Sequence, residues 1–330
     1  MIITRTPFRV SFAGGGSDLP SFYRRQEGCV LSTSIDKYMY VIIHPTFNRD
    51  ETIVKYNKTE IVRNCREIVH PIARQVLLDH RVSGVEIVSS ADIPSGTGLS
   101  TSSAYTVGLI HALYAFEGKF CSQERIAREA CEVEIDKLGE PIGKQDQYGT
   151  AVGGLKLIRF LPNDSVEVDP VVISRETQRK LNDNLLLFYT GLTHSAGEIL
   201  KEQNRNVVSE DAKFANLVRM TELAYEMRDA VTAGNLDRFG EILNENWLLK
   251  RELASSISNG LVEKYYNIAM ESGALGGKLL GAGGGGFLLF YCPEEKQLRL
   301  RSALSDLVEL PFNMEQSGTK VIYVGEKNWN

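Results

Sequence analysis

The 330-residue chain lacks the features that mark secreted, zinc-binding and membrane proteins. Its five cysteines are odd in number and none is spaced as CxxC, which argues against a disulfide framework and against a cysteine zinc site. No apolar run approaches the ~18 residues of a membrane span, and the first residues, MIITRTPFRVSF, lack the apolar stretch of a signal peptide. We therefore expect reduced thiols, no membrane partner and a cytoplasmic location.

A strong excess of positive charge is also missing. The formal net charge of -5 gives the chain no broad basic face, so we expect no nucleic-acid partner. Hydrophobic residues make up 43% of the chain, enough for a globular protein of two domains. A charged segment at 174–183 precedes a new apolar strand at Leu185, so we predict domains at 1–180 and 181–330. A homodimer is compatible with these patterns, which leave the oligomeric state open.

Several well-known catalytic and phosphate-binding motifs are absent. The P-loop pattern GxxxxGK[ST] fails at each Gly-Lys pair, and no HRD, DFG or VAIK sequence of protein kinases occurs. The histidines form no HExxH pair, and no GxSxG elbow of a serine hydrolase is present. A phosphate site in this chain would therefore need a different design.

The chain does contain a glycine- and hydroxyl-rich segment, PSGTGLSTSSA, at 94–104. It follows an alternating strand pattern at 84–88 and precedes a helical pattern at 102–117, so it ends on a helix N-terminus, where unpaired N–H groups attract anions. Gly96 and Gly98 let the backbone approach a ligand, and the serines and threonine at 100–103 supply hydroxyls for phosphate or Mg²⁺. The alternative is an exposed turn whose serine only caps the helix.

A second glycine run lies in PFRVSFAGGGSD, at 7–18. Three consecutive glycines stabilise neither a strand nor a helix, and close approach of a ligand to the backbone is one reason for their presence. Asp18 would then accept hydrogen bonds from sugar-type hydroxyls. A flexible hairpin with an aspartate in its turn is the alternative.

A third cluster, LGAGGGGF at 280–287, contains the GxGxxG pattern of dinucleotide-binding folds. That pattern needs a strand before it and a helix after it, whereas here a helical pattern at 261–273 precedes and an apolar strand follows. We therefore interpret the cluster as a loop that lets another segment pack, or a phosphate pass, close by. The context disfavours a nicotinamide-dependent dehydrogenase.

Two acidic residues stand out by their positions. Glu134 falls on the apolar stripe of a predicted helix at 122–138, where a lone carboxylate is costly unless it is paired. Either an arginine or lysine, or a divalent cation shared with the hydroxyls at 100–103, would satisfy it. Asp146 lies in GKQDQYG, at 143–149, which we predict to be a polar loop. It could orient or deprotonate a hydroxyl nucleophile, and a plain surface loop is the alternative.

Together, Arg9 with its glycine run, the PSGTGLSTSSA segment, Glu134, Asp146 and GAGGGGF resemble the GHMP kinase superfamily, which includes galactokinase, homoserine kinase, mevalonate kinase and phosphomevalonate kinase. All three family motifs occur in order across nearly the whole chain. The resemblance implies an α+β fold with an N-terminal domain like ribosomal protein S5 domain 2, containing a left-handed βαβ unit, and a ferredoxin-like C-terminal domain. It also implies that ATP and Mg²⁺ are used at a site between the two domains.

The same resemblance assigns roles to the matching positions. Those implied for ATP binding are Pro94, Gly96, Thr97, Gly98, Leu99, Ser100, Thr101 and Ser102. Those implied for the sugar phosphate substrate are Gly15, Gly16, Asp18, Gln145, Gly283 and Gly284. Ser102 and Glu134 would ligate Mg²⁺. Asp146 would face the acceptor hydroxyl, and Arg9 would stabilise charge on the transferring phosphoryl group.

The acceptor is indicated by a departure from the galactokinase pattern, which has Glu-His where this chain has Gly15 and Gly16. PFRVSFAGGGSD and GKQDQYG, with YTG at 189–191, most resemble the D-glycero-D-manno-heptose 7-phosphate kinases, which phosphorylate the anomeric hydroxyl to give a 1,7-bisphosphate. The cations that could bind the remote phosphate are Arg24, Arg25, Lys144 and His194. A kinase for another sugar and a non-catalytic sugar-sensing protein on the same fold are the alternatives.

Overall fold

Strands form where the sequence alternates, and helices form where apolar residues recur at helical spacing. The computed structural model describes residues 1–192 and 196–325. Its strands are β1 (Ile2–Ala13), β2 (Gly28–Pro45), β3 (Thr52–Lys55), β4 (Thr59–Val62), β5 (Val85–Ala91), β6 (Leu155–Phe160), β7 (Val166–Pro170), β8 (Leu185–Tyr189), β9 (Gly276–Leu279), β10 (Phe287–Tyr291), β11 (Val308–Glu309), β12 (Met314–Glu315) and β13 (Lys320–Val324). Its α-helices are α1 (Pro20–Tyr23), α2 (Pro71–His80), α3 (Thr101–Phe116), α4 (Gln123–Cys131), α5 (Gln145–Ala151), α6 (Arg175–Asn184), α7 (Ala196–Ser209), α8 (Asp211–Thr232), α9 (Leu236–Lys250), α10 (Gly260–Glu271) and α11 (Gln297–Ala303).

Two sheets organise the described residues. The larger sheet runs β13-β1-β2-β5-β3-β4, with β6 and β12 also paired to β2 and β7 paired to β6. The length of β2 explains this branching, because its first half pairs with β6 and its second half with β5. The smaller sheet is antiparallel, in the order β11-β8-β10-β9. The chain thus returns to the larger sheet through β12 and β13 after completing the smaller one.

Most predicted elements occur, with differences that have physical causes. Strand β2 begins at Gly28, ten residues before the β-rich run YMYVII at 38–43, because the residues before that run pair with β1 and β6. The predicted helix at 122–138 ends as α4 at Cys131 and continues as a wider π-helical turn, Glu132–Lys137. The loop predicted at 143–149 is wrong, since most of it forms α5. The third glycine cluster follows β9, a short strand that its glycine-rich sequence concealed.

The hydrophobic core forms two clusters, one mainly around the strands of the larger sheet and α3, and one mainly around the smaller sheet and α10. Helix α3 is buried on nearly every side, as expected for a helix without a polar face. Gly108 of α3 lets the helix approach β1 closely, where Thr4 Oγ1 donates a hydrogen bond of 2.9 Å to the Gly108 carbonyl. The cysteines are free and buried. Among the described residues, the helices are too short or too polar to cross a membrane.

Two glycine-rich loops, one from each sheet, pack directly against each other. The first is the β5–α3 loop (residues 92–100), and the second is the β9–β10 loop (residues 280–286). A Cβ added at Gly98 would lie 2.6 Å from the Leu280 carbonyl oxygen, and one added at Gly281 would lie 2.5 Å from Gly98 Cα. Such distances are far below van der Waals contact, so glycine is required for this approach. The interpretation that the third glycine cluster lets another segment pack is therefore correct.

A histidine–glutamate cluster joins α2, α3 and α4. His80 Nδ1 lies 3.0 Å from Glu117 Oε1, and His80 Nε2 lies 2.8 Å from Glu129 Oε1. Burial lowers the pKa of His80, but hydrogen bonding to both carboxylates outweighs it and raises the pKa above 6.5. His111 of α3 is in the opposite situation, because burial lowers its pKa to about 4.

We expect His80→Gln to lower the free energy of unfolding more at low pH than at high pH. A group with a raised folded pKa stabilises the fold fully below its unfolded pKa of about 6.5, and the contribution is lost as the pH rises through the folded pKa. Urea unfolding should therefore separate wild type and H80Q more at about pH 6 than at about pH 9.

His111→Gln is the matched control, because the pKa of His111 is lowered and its effect on stability should change with pH in the opposite direction. Its neutral imidazole stabilises the fold above the unfolded pKa, and this contribution is lost as the pH falls toward its folded pKa of about 4. The difference between wild type and H111Q should therefore shrink as the pH is lowered from about 7 to about 5. An H80Q difference that stays constant with pH would contradict the assigned ion pairs.

We also expect Gly98→Ala to destabilise the protein beyond the cost of its backbone conformation. Gly98 has φ +84°, and its added Cβ would meet the β9–β10 loop. Gly139 has φ +70° with no described atom within 4 Å of an added Cβ, so G139A measures the backbone cost alone, about 1–2 kcal/mol. Thermal unfolding should give a clearly larger loss for G98A, and equal losses would show that the two loops are not held in contact.

Candidate active site

A cavity of about 330 Å³ lies where the β5–α3 loop meets the glycine turn (residues 14–16), the start of α5 and helix α7. The structure brings most of the predicted site residues to this one cavity. Those that line it are Arg9, Gly15, Gly16, Asp18, Gly96, Gly98, Ser100, Thr101, Ser102, Glu134, Gln145 and Asp146. They come from sequence positions more than a hundred residues apart, so the fold, rather than local sequence, assembles the site.

The β5–α3 loop presents a helix N-terminus to the cavity. Gly96, Gly98 and Ser100 have φ values of +74°, +84° and +65°, which turn the backbone sharply before α3 begins at Thr101. A serine in the left-handed region is strained, and such strain concentrates at functional sites. The Ser100 hydroxyl is buried without a hydrogen-bond partner among the described residues. Free N–H groups, the helix dipole and this hydroxyl together suit a phosphate group.

An ion pair between Arg9 and Asp146 crosses the cavity. The Arg9 side chain is 3% exposed, and its Nε and Nη2 donate to Asp146 Oδ1 at 2.9 and 2.7 Å. Its Nη1 donates to the Gly98 carbonyl at 2.9 Å, so the same guanidinium also holds the β5–α3 loop. Asp146 Oδ2 accepts no hydrogen bond from the described residues. This oxygen is therefore free to accept a proton or a hydroxyl group.

Glu134 is fully buried beside the start of α3. Ser102 Oγ donates to Glu134 Oε1 at 2.8 Å, and Gln147 Nε2 donates to Oε2 at 2.7 Å. Burial raises the pKa of Glu134, and these two hydrogen bonds oppose that effect. Among the described residues no arginine or lysine forms an ion pair with Glu134. Of the two partners that the sequence allows, a basic side chain or a divalent cation, the structure therefore does not provide the first.

The donor set around Glu134 fits Mg²⁺ rather than a metal held by protein alone. Within the described chain, no group of three or more histidine, cysteine or acidic side chains could hold a metal ion. Mg²⁺ in kinases is bound by one or two protein oxygens, with phosphates and water completing the octahedron. The Glu134 carboxylate and the Ser102 hydroxyl would supply the protein oxygens.

Asp18 forms the other acidic wall of the cavity, at the glycine turn. It is 2% exposed and accepts hydrogen bonds from the Gly16 amide at 3.1 Å, the Gln145 amide at 3.2 Å and Gln145 Nε2 at 3.0 Å. Burial, followed by the nearby charge of Asp146, raises the pKa of Asp18. A Cβ at Gly143 would lie 2.0 Å from Asp18 Oδ2, so glycine is needed there. Asp18 is thus held in a fixed orientation toward the cavity.

Two buried lysines in the cavity wall were missed from the sequence. Lys278 Nζ donates to the Ser11 carbonyl at 2.7 Å and the Phe12 carbonyl at 3.1 Å, and Lys250 Nζ donates to the Gly281 carbonyl. Burial, with the nearby Arg9 charge, lowers the pKa of Lys250 to about 8. Burial also lowers the pKa of Lys278 well below its usual range. A lysine flanked by glycines and leucine in β9 is the signal that could have identified Lys278.

Other predicted site residues lie outside the cavity lining. Gly283 and Gly284, which are predicted to contact substrate, pack on the segment before α10. A Cβ added at Gly283 would lie 2.6 Å from Ile257 Cα, the Gly284 amide donates to the Ile257 carbonyl at 2.9 Å, and Asn259 Nδ2 donates to the Gly284 carbonyl at 3.0 Å. Pro94 is exposed, and Thr97 and Leu99 are buried behind the β5–α3 loop. Within the loop, Thr97 Oγ1 donates a hydrogen bond of 3.0 Å to the Pro94 carbonyl.

The cations predicted for a remote phosphate are engaged elsewhere. Arg24 and Lys144 both pair with Asp164, at 3.1 and 3.6 Å, and neither lines the cavity. The Arg25 guanidinium lies over the Phe214 ring at 3.8 Å from its centroid. His194 lies outside the described residues. These arginines and Lys144 therefore need other conformations to reach a bound sugar phosphate.

Comparison with known sequences identifies two matching domain families and relatives that align along nearly the whole of this chain. The GHMP kinases N terminal domain matches residues 60–154, and the GHMP kinases C terminal domain matches residues 227–309. The D-glycero-alpha-D-manno-heptose 7-phosphate kinase of Campylobacter jejuni is 28% identical, over 99% of this chain and 98% of that protein. The bifunctional fucokinase/GDP-fucose pyrophosphorylase of Arabidopsis thaliana is 29% identical over 92% of this chain, which spans 31% of that larger protein.

Solved structures match over nearly the whole chain. A D-glycero-D-manno-heptose 1-phosphate kinase from Bacteroides thetaiotaomicron superposes with a TM-score of 0.82, at 23% identity, covering 99% of this chain and 100% of that one. A putative sugar kinase from Campylobacter jejuni superposes with a TM-score of 0.77, at 26% identity, covering 97% of each chain. The α+β architecture is therefore the GHMP kinase fold, with its N- and C-terminal domains. On these matches in sequence and fold, the chain belongs to the GHMP kinase family.

Proposed function

We propose that this GHMP-family sugar kinase transfers the γ-phosphoryl group of ATP, with Mg²⁺, to the anomeric hydroxyl of D-glycero-D-manno-heptose 7-phosphate. The observation that carries the proposal is the convergence on one cavity of the strained β5–α3 loop, the Ser102–Glu134 pair, the Arg9–Asp146 ion pair and Asp18. The name of the Campylobacter jejuni relative supports heptose 7-phosphate as the acceptor. A product phosphorylated at both ends would serve a reaction that activates the sugar.

Phosphoryl transfer from ATP to a sugar hydroxyl places three requirements on the site. In phosphoryl transfer an acceptor oxygen bonds to the γ-phosphorus, the bond to the β,γ-bridging oxygen breaks, and the acceptor hydroxyl loses its proton. When bound, ATP supplies the transferable group and Mg²⁺ offsets the charge of its phosphates. The site must therefore hold a polyanion, orient a hydroxyl and accept a proton.

Asp146 and Arg9 would orient and deprotonate the acceptor. Both Arg9 hydrogen bonds to Asp146 end on Oδ1, which leaves Oδ2 to accept the proton of the sugar hydroxyl. An anomeric hydroxyl is more acidic than an ordinary alcohol, so orientation with late proton acceptance is sufficient. The buried guanidinium of Arg9 would also stabilise charge on the transferring group, because a fixed cation in a dry site needs no reorganisation.

The remaining residues would hold the reactants. The N–H groups at the start of α3 and the Ser100 hydroxyl would hold phosphates, with Lys250 adding positive charge. Ser102 and Glu134 would ligate Mg²⁺. Asp18, already aligned by Gln145, would accept hydrogen bonds from the hydroxyls of the sugar.

The second candidate function is a kinase whose acceptor is an unphosphorylated sugar, such as fucose. It is favoured by the position of Arg24 and Lys144 on Asp164, away from the cavity, and by the fucokinase name of the Arabidopsis relative. A non-catalytic sugar sensor is disfavoured, because sensing does not require Arg9, Glu134 and Asp146 together in one cavity.

Release of ADP from a panel of free and phosphorylated sugars should decide between these functions. We expect heptose 7-phosphate to be turned over in the presence of Mg²⁺, and activity to be lost when the metal is removed with a chelator. Analysis of the product by phosphorus NMR should place the new phosphate on the anomeric oxygen. Turnover of unphosphorylated sugars alone would contradict the proposed acceptor.

We expect Asp146→Asn to lower kcat by about 10²–10⁴-fold, because the amide cannot accept the proton while the size of the side chain is kept. Steady-state kinetics at saturating ATP and sugar would measure this. Asp164→Asn is the control. Asp164 pairs with Arg24 and Lys144 outside the cavity, so the kcat of D164N should stay near that of wild type. A loss of less than about tenfold in D146N, or about 1.4 kcal/mol in the barrier, would contradict the role of Asp146.

A further inference from the structure

Helix α7 contributes a buried polar side chain that no predicted role explains. Gln203 is 1% exposed and lines the cavity. Its Nε2 is buried and has no hydrogen-bond partner among the described residues. Because a buried amide donor without a partner destabilises a folded protein, such groups are rare in native structures and call for an explanation.

The location of the amide points to a ligand on the acceptor side of the cavity. A Cβ added at Gly16 would lie 2.3 Å from Gln203 Nε2, so the amide lies directly against the glycine turn. The Gly16 amide in turn donates to Asp18 Oδ1 at 3.1 Å. Gln203 and Asp18 therefore both contact the glycine turn, the part of the cavity whose Gly15, Gly16 and Asp18 are predicted to bind the sugar.

The two side chains have complementary hydrogen-bonding abilities. The Asp18 carboxylate accepts hydrogen bonds, whereas the Gln203 amide nitrogen donates them. A sugar hydroxyl both donates and accepts, so a pair of this kind can bind one hydroxyl, or two neighbouring hydroxyls, in a defined orientation. Glycine at position 16 is what makes this possible, since any side chain there would meet the amide.

We propose that Gln203 is a substrate-binding residue whose Nε2 donates a hydrogen bond to an oxygen of the acceptor sugar, beside Asp18. This inference rests on the proposed function, because it takes the acceptor to be a sugar or sugar phosphate. An oxygen of the acceptor is then the hydrogen-bond partner of Gln203 Nε2 that no described residue provides. Gln203 thereby helps to select acceptors with an oxygen at this position, and its effect falls on sugar binding rather than on ATP binding.

Gln203→Met tests the proposal, because methionine keeps the length of the side chain and removes the donor. Calorimetric titration with D-glycero-D-manno-heptose 7-phosphate should show affinity at least tenfold weaker than in wild type, with ATP affinity unchanged. The melting temperature should stay the same or rise, because a buried donor without a partner has been removed. A merely structural glutamine would give the opposite result, a lower melting temperature with unchanged sugar affinity.

Gln297→Met is the matched control. Gln297 is also buried, but its Nε2 donates to the Asp183 carbonyl at 2.7 Å and the Cys292 carbonyl at 3.0 Å, and it does not line the cavity. Q297M should therefore lower the melting temperature and leave sugar affinity unchanged. The two variants thus separate loss of a ligand contact from loss of a structural one.

Titration with the free heptose identifies the oxygen that accepts the hydrogen bond. Equal weakening of both ligands in Q203M assigns the contact to a sugar hydroxyl, and weakening of the phosphorylated ligand alone assigns it to a phosphate oxygen. Wild-type affinity of Q203M for both ligands overturns the inference. If wild type binds neither ligand, the proposed acceptor is wrong, and the same comparison with the sugar selected by the kinase panel decides the role of Gln203.

Discussion

The buried guanidinium of Arg9 is the contact on which the rest of the site depends. It joins Asp146, from the start of α5, to the Gly98 carbonyl of the β5–α3 loop. Gly98 packs on the β9–β10 loop, and Lys250 binds the Gly281 carbonyl of that loop. A continuous set of contacts therefore runs from β1 through the β5–α3 loop to the smaller sheet. Moving one of these groups would disturb the geometry of the others.

Acidic and basic side chains are buried together in the wall of the cavity. Buried acidic groups at Asp18 and Glu134 face buried basic groups at Lys250 and Lys278, and each is held by hydrogen bonds to backbone or amide groups. Burial is the largest cause of each pKa shift: it raises the pKa of Asp18 and Glu134 and lowers the pKa of Lys250 and Lys278, so it favours the uncharged form of each group. The buried guanidinium of Arg9 would act strongly on a reacting phosphoryl group, because solvent screens a buried charge less than an exposed one.

The sequence predicts local features better than tertiary contacts. The glycine-rich segment before α3 and the apolar position of Glu134 are local, and the cavity brings both together as expected. The helical state of Asp146 was missed because its polar, glycine-flanked sequence favours a turn, while burial of the following residues stabilises α5. The contacts of Lys278 with β1 and of Gln203 with the glycine turn join residues far apart in sequence, and the local pattern at Lys278 indicates a buried lysine without indicating its partner.

The return of the chain to the larger sheet has a mechanical consequence. Strand β13 pairs with residues at the start of β1, and β12 pairs with the middle of β2, although both follow the smaller sheet in sequence. The chain thus crosses from the larger sheet to the smaller sheet before β8 and crosses back before β12. Severing the chain after α6 would strip β1 of a neighbour and expose the unpaired N–H and C=O groups of a sheet edge, which promote self-association. The smaller sheet is therefore an insertion into the larger fold, and the first half, cut after α6, is expected to self-associate in isolation.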